Sequence, residues 1–196
     1  MFNKLSVTGR VISVPEYSHT SIRGIDIYKF KISLIRPSQK IDENVVTAPI
    51  HKTKNLKVGD FVRVTGSLHT RNLDSRLLVF IWADQILLTS EDDYLICFPN
   101  NYPVEGYICK KGDVRETPAG RKILDFFIAI QYGTYSCYIP CIAWENTCEH
   151  MSKIDIGTKV KVFGRLQSRD YQKKYDFGDV ENRIAYEFSV GSFEIV

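Results

Sequence analysis

Val58-Gly59-Asp60-Phe61-Val62-Arg63-Val64-Thr65-Gly66-Ser67-Leu68-His69-Thr70-Arg71 returns 98 positions later as Ile156-Gly157-Thr158-Lys159-Val160-Lys161-Val162-Phe163-Gly164-Arg165-Leu166-Gln167-Ser168-Arg169. Val62 and Val64 alternate with Phe61 and Arg63, and Val160 and Val162 alternate with Lys159 and Lys161. A period of two residues marks strands with one face buried. Two further pairs extend the repeat upstream. Gly9-Arg10-Val11-Ile12 matches Gly106-Tyr107-Ile108-Cys109, and Tyr28-Lys29-Phe30-Lys31-Ile32-Ser33-Leu34 matches Leu124-Asp125-Phe126-Phe127-Ile128-Ala129-Ile130. A repeat of about 97 residues is far longer than a solenoid unit, so it reads as a duplicated domain.

The junction falls between Ile86-Leu87-Leu88 and Val104, where Glu91-Asp92-Asp93 and Pro99-Asn100-Asn101-Tyr102-Pro103 are turn and linker residues. Residues 1–90 and 103–196 are the two expected domains, close enough to touch. Each offers about five strand-like segments, and the second adds a helix over about Glu145–Ser152 between its third and fourth strands. In the first, the corresponding His51-Lys52-Thr53-Lys54-Asn55 is about two residues shorter and is expected to hold a turn. The expected fold is all-β: two tandem five-stranded Greek-key barrels of the OB type, the second with a short helix between strands 3 and 4.

Composition narrows the function without choosing it. The 196 residues are 44% hydrophobic and 25% charged, enough apolar surface to exclude a largely disordered chain. No apolar run approaches the length of a membrane helix, and Met1-Phe2-Asn3-Lys4-Leu5 has no signal-peptide core, so a cytoplasmic protein is expected. The net charge of +3 lies wholly in residues 1–98. That is too little to name a polyanion as partner. The cysteines at 97, 109, 137, 141 and 148 lack a Cys-x-x-Cys and are read as free thiols. Cys137, Cys141, Cys148 and His150 do not have structural-zinc spacing. On a strand, Cys137 and Cys141 share one face and pack as small hydrophobes. No metal or other cofactor is expected.

The second unit resembles the bacterial single-stranded DNA-binding protein family. The resemblance rests on an ordered set: Gly112-Asp113-Val114-Arg115-Glu116-Thr117-Pro118-Ala119-Gly120, Phe127-Ile128-Ala129-Ile130, Pro140-Cys141-Ile142-Ala143-Trp144-Glu145, and Gly157 through Tyr171. The first unit is similar to a degenerate copy, keeping Gly59 and Gly66 but not the Thr-Pro-x-Gly hairpin. The whole chain thus resembles a tandem OB-fold member. The resemblance implies sequence-nonspecific binding of single-stranded DNA in replication, recombination or repair, and association as a homo-dimer with four OB folds. The chain ends Ser192-Phe193-Glu194-Ile195-Val196, without the family's acidic tail, so tail-mediated recruitment of replication enzymes is not expected.

Strand binding needs cations along the phosphates and aromatic faces for the bases. The last hairpin of the second unit supplies both in Arg169, Tyr171, Lys173, Lys174, Tyr175 and Phe177, and is 9 residues longer than its counterpart. On residues alone a solvated loop fits equally; the resemblance favours binding, with an aromatic commonly at the place of Tyr171. The resemblance also assigns an aromatic place to Tyr138. Phe127 is a further candidate platform, and Arg115, Arg121 and Lys122 around the first hairpin are candidate phosphate contacts. Trp144 reads as a packing residue. In the first unit Asn72 replaces the hairpin aromatic, leaving Arg71 among scattered cations.

Leu77-Leu78-Val79-Phe80-Ile81-Trp82-Ala83 is apolar on both faces. Val79, Ile81 and Ala83 match the core-like Tyr186, Phe188 and Val190; Leu78, Phe80 and Trp82 match outward positions. A strand apolar on both sides is usually covered on both, so these three are expected at a domain or subunit interface. The rival reading makes Trp82 a base-stacking residue. An enzyme is not expected, since no phosphate loop or nucleophile–base spacing is present. The alternatives are an architectural, primosomal-type or accessory protein-interaction module, or RNA binding.

Overall fold

A computed structural model of the chain describes residues 3–36, 38–73, 76–96, 100–174 and 180–196, with the backbone alone for Ile96, Lys173 and Lys174. The repeated stretches form the two strands β5 (Phe61–Leu73) and β11 (Lys159–Lys174). The second glycine of each repeated stretch has a steric reason. A Cβ on Gly66 would stand 2.0 Å from the carbonyl oxygen of Trp82, and one on Gly164 2.0 Å from that of Ser189. Both lie at register shifts in the pairing with β6 (Arg76–Leu88) and β12 (Val180–Ile195). There the long strand bends, leaving its first partner β1 (Leu5–Val11) or β7 (Tyr102–Lys111) and running on with the second.

In the first sheet β3 (Asp26–Ile35) and β4 (Ile41–Pro49) complete a ring in the order β1-β5-β6-β4-β3, closed by the β1–β3 pairing. The second sheet repeats it as β7-β11-β12-β10-β9, with β9 (Lys122–Tyr132) and β10 (Tyr135–Trp144). In each ring one pairing is parallel, β4 with β6 and β10 with β12. These are two closed five-stranded barrels of the OB type, as the alternation implied. A sixth short strand lies outside each ring, β2 (Glu16–Thr20) on β3 and β8 (Arg115–Glu116) on β9.

Inward positions alternate along the strands and are closed to solvent: Phe30, Ile32, Val46 and Ile81 in one barrel, Phe126, Ile128, Ile139 and Phe188 in the other. Cys137 and Cys141 point into the second core together. Val79, Ile81 and Ala83 are buried, so the inward half of the doubly apolar strand is where the pattern placed it. Between β10 and β11 the helix α3 (Glu145–Ser152) buries Cys148 and Met151. Its counterpart α1 is a single turn, Ile50–Thr53. The acidic run after β6 is not a turn but the helix α2 (Glu91–Ile96). The Ser90 hydroxyl accepts from the Asp93 N–H at 3.1 Å, and Tyr94 packs its ring 5.2 Å from that of Phe61. Among the described residues no helix is long and apolar enough to cross a membrane.

The barrels meet through matched strands, β4 against β11 and β10 against β5. The Ser168 N–H donates to Asp42 Oδ1 at 2.8 Å, and the Ser168 hydroxyl accepts from the Glu43 N–H at 2.9 Å. The Thr70 N–H donates to Cys137 Sγ at 3.4 Å, and the Thr70 hydroxyl accepts from the Tyr138 N–H at 3.0 Å. Thr70 corresponds to Ser168 in the repeat, and the Leu34–Asp42 pairing corresponds to Ile130–Cys137. Arg36 donates to the Ser168 carbonyl at 3.1 Å, and its counterpart Tyr132 donates to the Leu68 carbonyl at 3.1 Å. The contact is therefore that of a two-fold dimer, each patch answered by its repeat, within one chain.

Candidate nucleic-acid interface

On β10, residues 137, 139, 141 and 143 face the core, so Tyr138, Pro140, Ile142 and Trp144 face outward. Phe127 lies opposite Pro140 on β9, on the same outer face. Tyr138 and Trp144 stand six positions apart, an outer stripe of about 20 Å at strand rise. Tyr138 is exposed and Phe127 half-buried, with the Lys110 ammonium 5.9 Å from its ring centroid. Trp144 is half-buried: its indole N–H donates to Ser189 Oγ at 3.1 Å, and the Arg121 guanidinium lies 4.6 Å from its ring centroid.

Around Trp144 the surface is hollowed into two adjoining clefts of about 450 and 710 Å³. One wall is the β3–β4 turn of the first barrel, with Arg36 and Lys40; the other is the outer face of the second, with Arg115, Arg121, Arg165 and Arg169. Six cations thus line one groove against a single carboxylate, Glu187. The OB topology brings them together: β11 and β12 supply the floor, the β8 hairpin one rim, and the neighbouring barrel the opposite rim.

The cations differ in how they are held. Arg115 pairs with Asp125 at 2.6 Å, Arg121 with Glu145 at 3.2 Å and Arg169 with Glu187 at 3.5 Å. Lys122 pairs with Glu149 at 2.8 Å outside the groove; this contact raises the Lys122 pKa and lowers that of Glu149. Exposed pairs of this kind contribute little net stability, so a phosphate can take over the cation. Lys40 has no carboxylate partner among the described residues. Arg36 donates through Nε to Asp42 Oδ2 at 2.7 Å, and that contact raises its pKa. Arg165 is held differently, its pKa lowered by burial and by the nearby Arg36 charge, with Asp42 opposing.

Of the residues singled out in the sequence, Arg115, Arg121 and Arg169 come together in this groove, while Phe127 and Tyr138 continue its outer face beyond Trp144. Tyr171 is half-buried further along the same face of β11, opposite Arg183. Lys173 and Lys174 extend that strand, opposite Glu181 and Val180; their side chains, with Tyr175 and Phe177, lie outside the described residues. The hairpin leans on the first barrel through the Arg76–Glu181 pair at 3.0 Å. Arg71, Leu78, Phe80 and Trp82 line a separate groove of about 730 Å³, where Phe80 and Trp82 are half-buried and Leu78 is exposed. Sequence reading missed Lys40 and Arg165 and assigned Trp144 to packing. The odd spacing from the inward Cys141 to Trp144, which puts the two on opposite faces of one strand, was the available signal.

Residues 99–195 match the model of the Single-strand binding protein family. No curated protein matches the chain. The wild-type single-stranded DNA binding protein from Thermus aquaticus superposes with a TM-score of 0.75 at 16% identity, over 100% of this chain and 93% of that one. A deletion mutant of the same Thermus aquaticus protein gives 0.74 at 17%, covering 100% and 94%. At such identity the likeness concerns the fold, and it extends over both barrels. The second barrel thus belongs to the Single-strand binding protein family, whose members are binding proteins and not enzymes, and the chain as a whole shares the tandem-barrel fold of the Thermus aquaticus protein.

Proposed function

We propose that the chain binds single-stranded DNA without sequence preference, with the phosphates tracking the cations of the inter-barrel groove and bases stacking along the Trp144–Tyr138 face. The observation that carries this is the six-to-one excess of cations over carboxylates around an outward tryptophan. Strand-binding grooves need that pairing of charge and aromatic face, and accept about 4–16 nucleotides per barrel. The cations are gathered locally, Arg36, Arg115, Arg121 and Arg169 each held by a carboxylate beside the groove, which is how a chain of net charge +3 presents a cationic track. Tyr171, Lys173 and Lys174 extend the track along the long hairpin. Exposed strand in replication, recombination or repair is the matching substrate, and two chains forming a four-barrel dimer are the matching assembly.

Fluorescence anisotropy of labelled oligo-dT tests the reading. Saturable binding that weakens with salt is expected, because bound cations release condensed counterions. Absence of saturable binding at low salt refutes it. Light scattering tests the assembly, the expected mass being twice the 22.6 kDa of the chain.

A further inference from the structure

The groove around Trp144 has a partner related by the approximate two-fold between the barrels. In the first groove the β3–β4 turn of barrel one faces β11 and β12. In the second, the β9–β10 turn of barrel two, with Tyr135, faces β5 and β6. Equivalent strand positions line both. Gln167, Arg169 and Glu187 are answered by His69, Arg71 and Phe80, and Ser189 by Trp82.

The chemistry at these matched positions has been exchanged. Glu187, the carboxylate of the first groove, holds Arg169 at 3.5 Å and accepts from Gln167 at 3.0 Å. Phe80 stands in its place in the second groove, so Arg71 has no ion-pair partner among the described residues. The His69 ring stacks 4.6 Å from Tyr132 and 6.0 Å from Phe80, and Tyr135 is 5.6 Å from Tyr132. Trp82 is half-buried beside them. The lining includes Arg71 and Lys29 and no carboxylate; Lys29 pairs across the rim with Glu16 at 3.2 Å.

We propose that this second groove is a base-binding site for single-stranded DNA in the first barrel, with Trp82 and Phe80 as the stacking faces and Arg71 as the phosphate contact. The loss of the hairpin aromatic at Asn72 is thus offset by aromatics on the adjacent strand, and a single strand crosses both barrels. The cleft volume lies within the range of ligand sites. Its charge suits that occupant: Arg71 has no ion-pair partner among the described residues, and the lining holds no carboxylate to repel a phosphate.

The inference rests on the reading of the Trp144 groove, and the chain's two tryptophans separate the two. Trp144→Phe leaves Trp82 as the sole tryptophan, excited selectively over the tyrosines at long wavelength, and Trp82→Phe leaves Trp144. Titration of each full-length variant with oligo-dT should give saturable, salt-sensitive quenching in both. Trp82→Ala should weaken binding of oligomers long enough to span both barrels by about 5-fold or more, the lower end for one lost stack, and change short-oligomer affinity less than about two-fold. Quenching of Trp144 with Trp82 unmoved overturns the second site and leaves the first. Trp82 emission that follows protein dilution but not DNA overturns it in favour of a chain–chain surface. Binding to neither overturns both.

Discussion

Arg165 and Asp42 come from different barrels and stand 3.8 Å apart, yet the carboxylate is already taken. Asp42 accepts from Arg36 and from the Ser168 N–H, and is 3% exposed. The Arg165 Nε is buried without a hydrogen-bond partner among the described residues. Two cations therefore share one anion at the barrel junction, with the second opening onto the Trp144 groove. That arrangement holds the barrels together and leaves a positive charge for a phosphate.

Removing the shared anion should be costly. Asp42→Ala leaves Arg36 and Arg165 at the junction without the carboxylate they share and frees the Ser168 N–H. Loss of about 3–5 kcal/mol is expected, the usual cost of breaking a buried pair from one side. Urea unfolding followed by tryptophan fluorescence measures it, and a loss below about 1 kcal/mol would contradict the assignment.

Arg165→Gln should act on binding instead. One cation lost from a single-strand track lowers the slope of log K against log salt by about 0.7. Arg169→Gln should do the same, and Lys122→Gln, whose side chain lies outside the groove, should leave the slope unchanged. Affinities measured across a series of salt concentrations decide the matter.

The bend of the long strands rests on Gly66 and Gly164. Gly164→Ala would drive a Cβ into the Ser189 carbonyl, and Gly66→Ala into that of Trp82. Each should destabilise by about 1–3 kcal/mol or more, as overpacking does. Gly120, whose Cβ direction is open, faces no such clash but has a φ of 74°, so Gly120→Asn should be mild. Thermal unfolding of the three variants should separate the first two from the third.

Burial holds the His69 imidazole below its ordinary pKa, with Asp84 opposing. Its ring nitrogens contact Ser67 Oγ at 2.9 Å and the Tyr135 hydroxyl at 3.3 Å. A folded-state pKa below the unfolded one gives a contribution fully present above about pH 6.5 and lost as pH falls below it. His69→Phe should therefore flatten the decline in stability between about pH 7 and 5. An unchanged decline would show that His69 does not contribute to it.

The barrels were legible because their code is local. Alternation at Val62/Val64 and Val160/Val162 needs only neighbours, and the repeat marked Gly66 and Gly164 without any view of the carbonyls they face. The helix from Glu145 to Ser152 was legible for the same reason. The helix at Glu91 was not, since an acidic run behind a serine serves a turn as well as an N-terminal helical turn. The groove was legible only in part. Arg115, Arg121 and Arg169 were found from their own hairpins, but Lys40 and Arg165 become neighbours only when one barrel docks on the other. Trp144 reads as core until its strand face is fixed. Ion pairs that hold the cations, such as Arg115–Asp125 and Lys122–Glu149, join residues 10 and 27 apart, a pairing fixed by strand register and not by sequence neighbours.

Whether single strands lie in the Trp144 groove is decided by oligo-dT anisotropy with the Trp144→Ala/Arg169→Gln double variant. Saturable wild-type binding at low salt is expected, with an affinity loss of about ten-fold or more in the variant, from one stack and one phosphate contact. Wild-type affinity in a variant that unfolds at the wild-type temperature would contradict it.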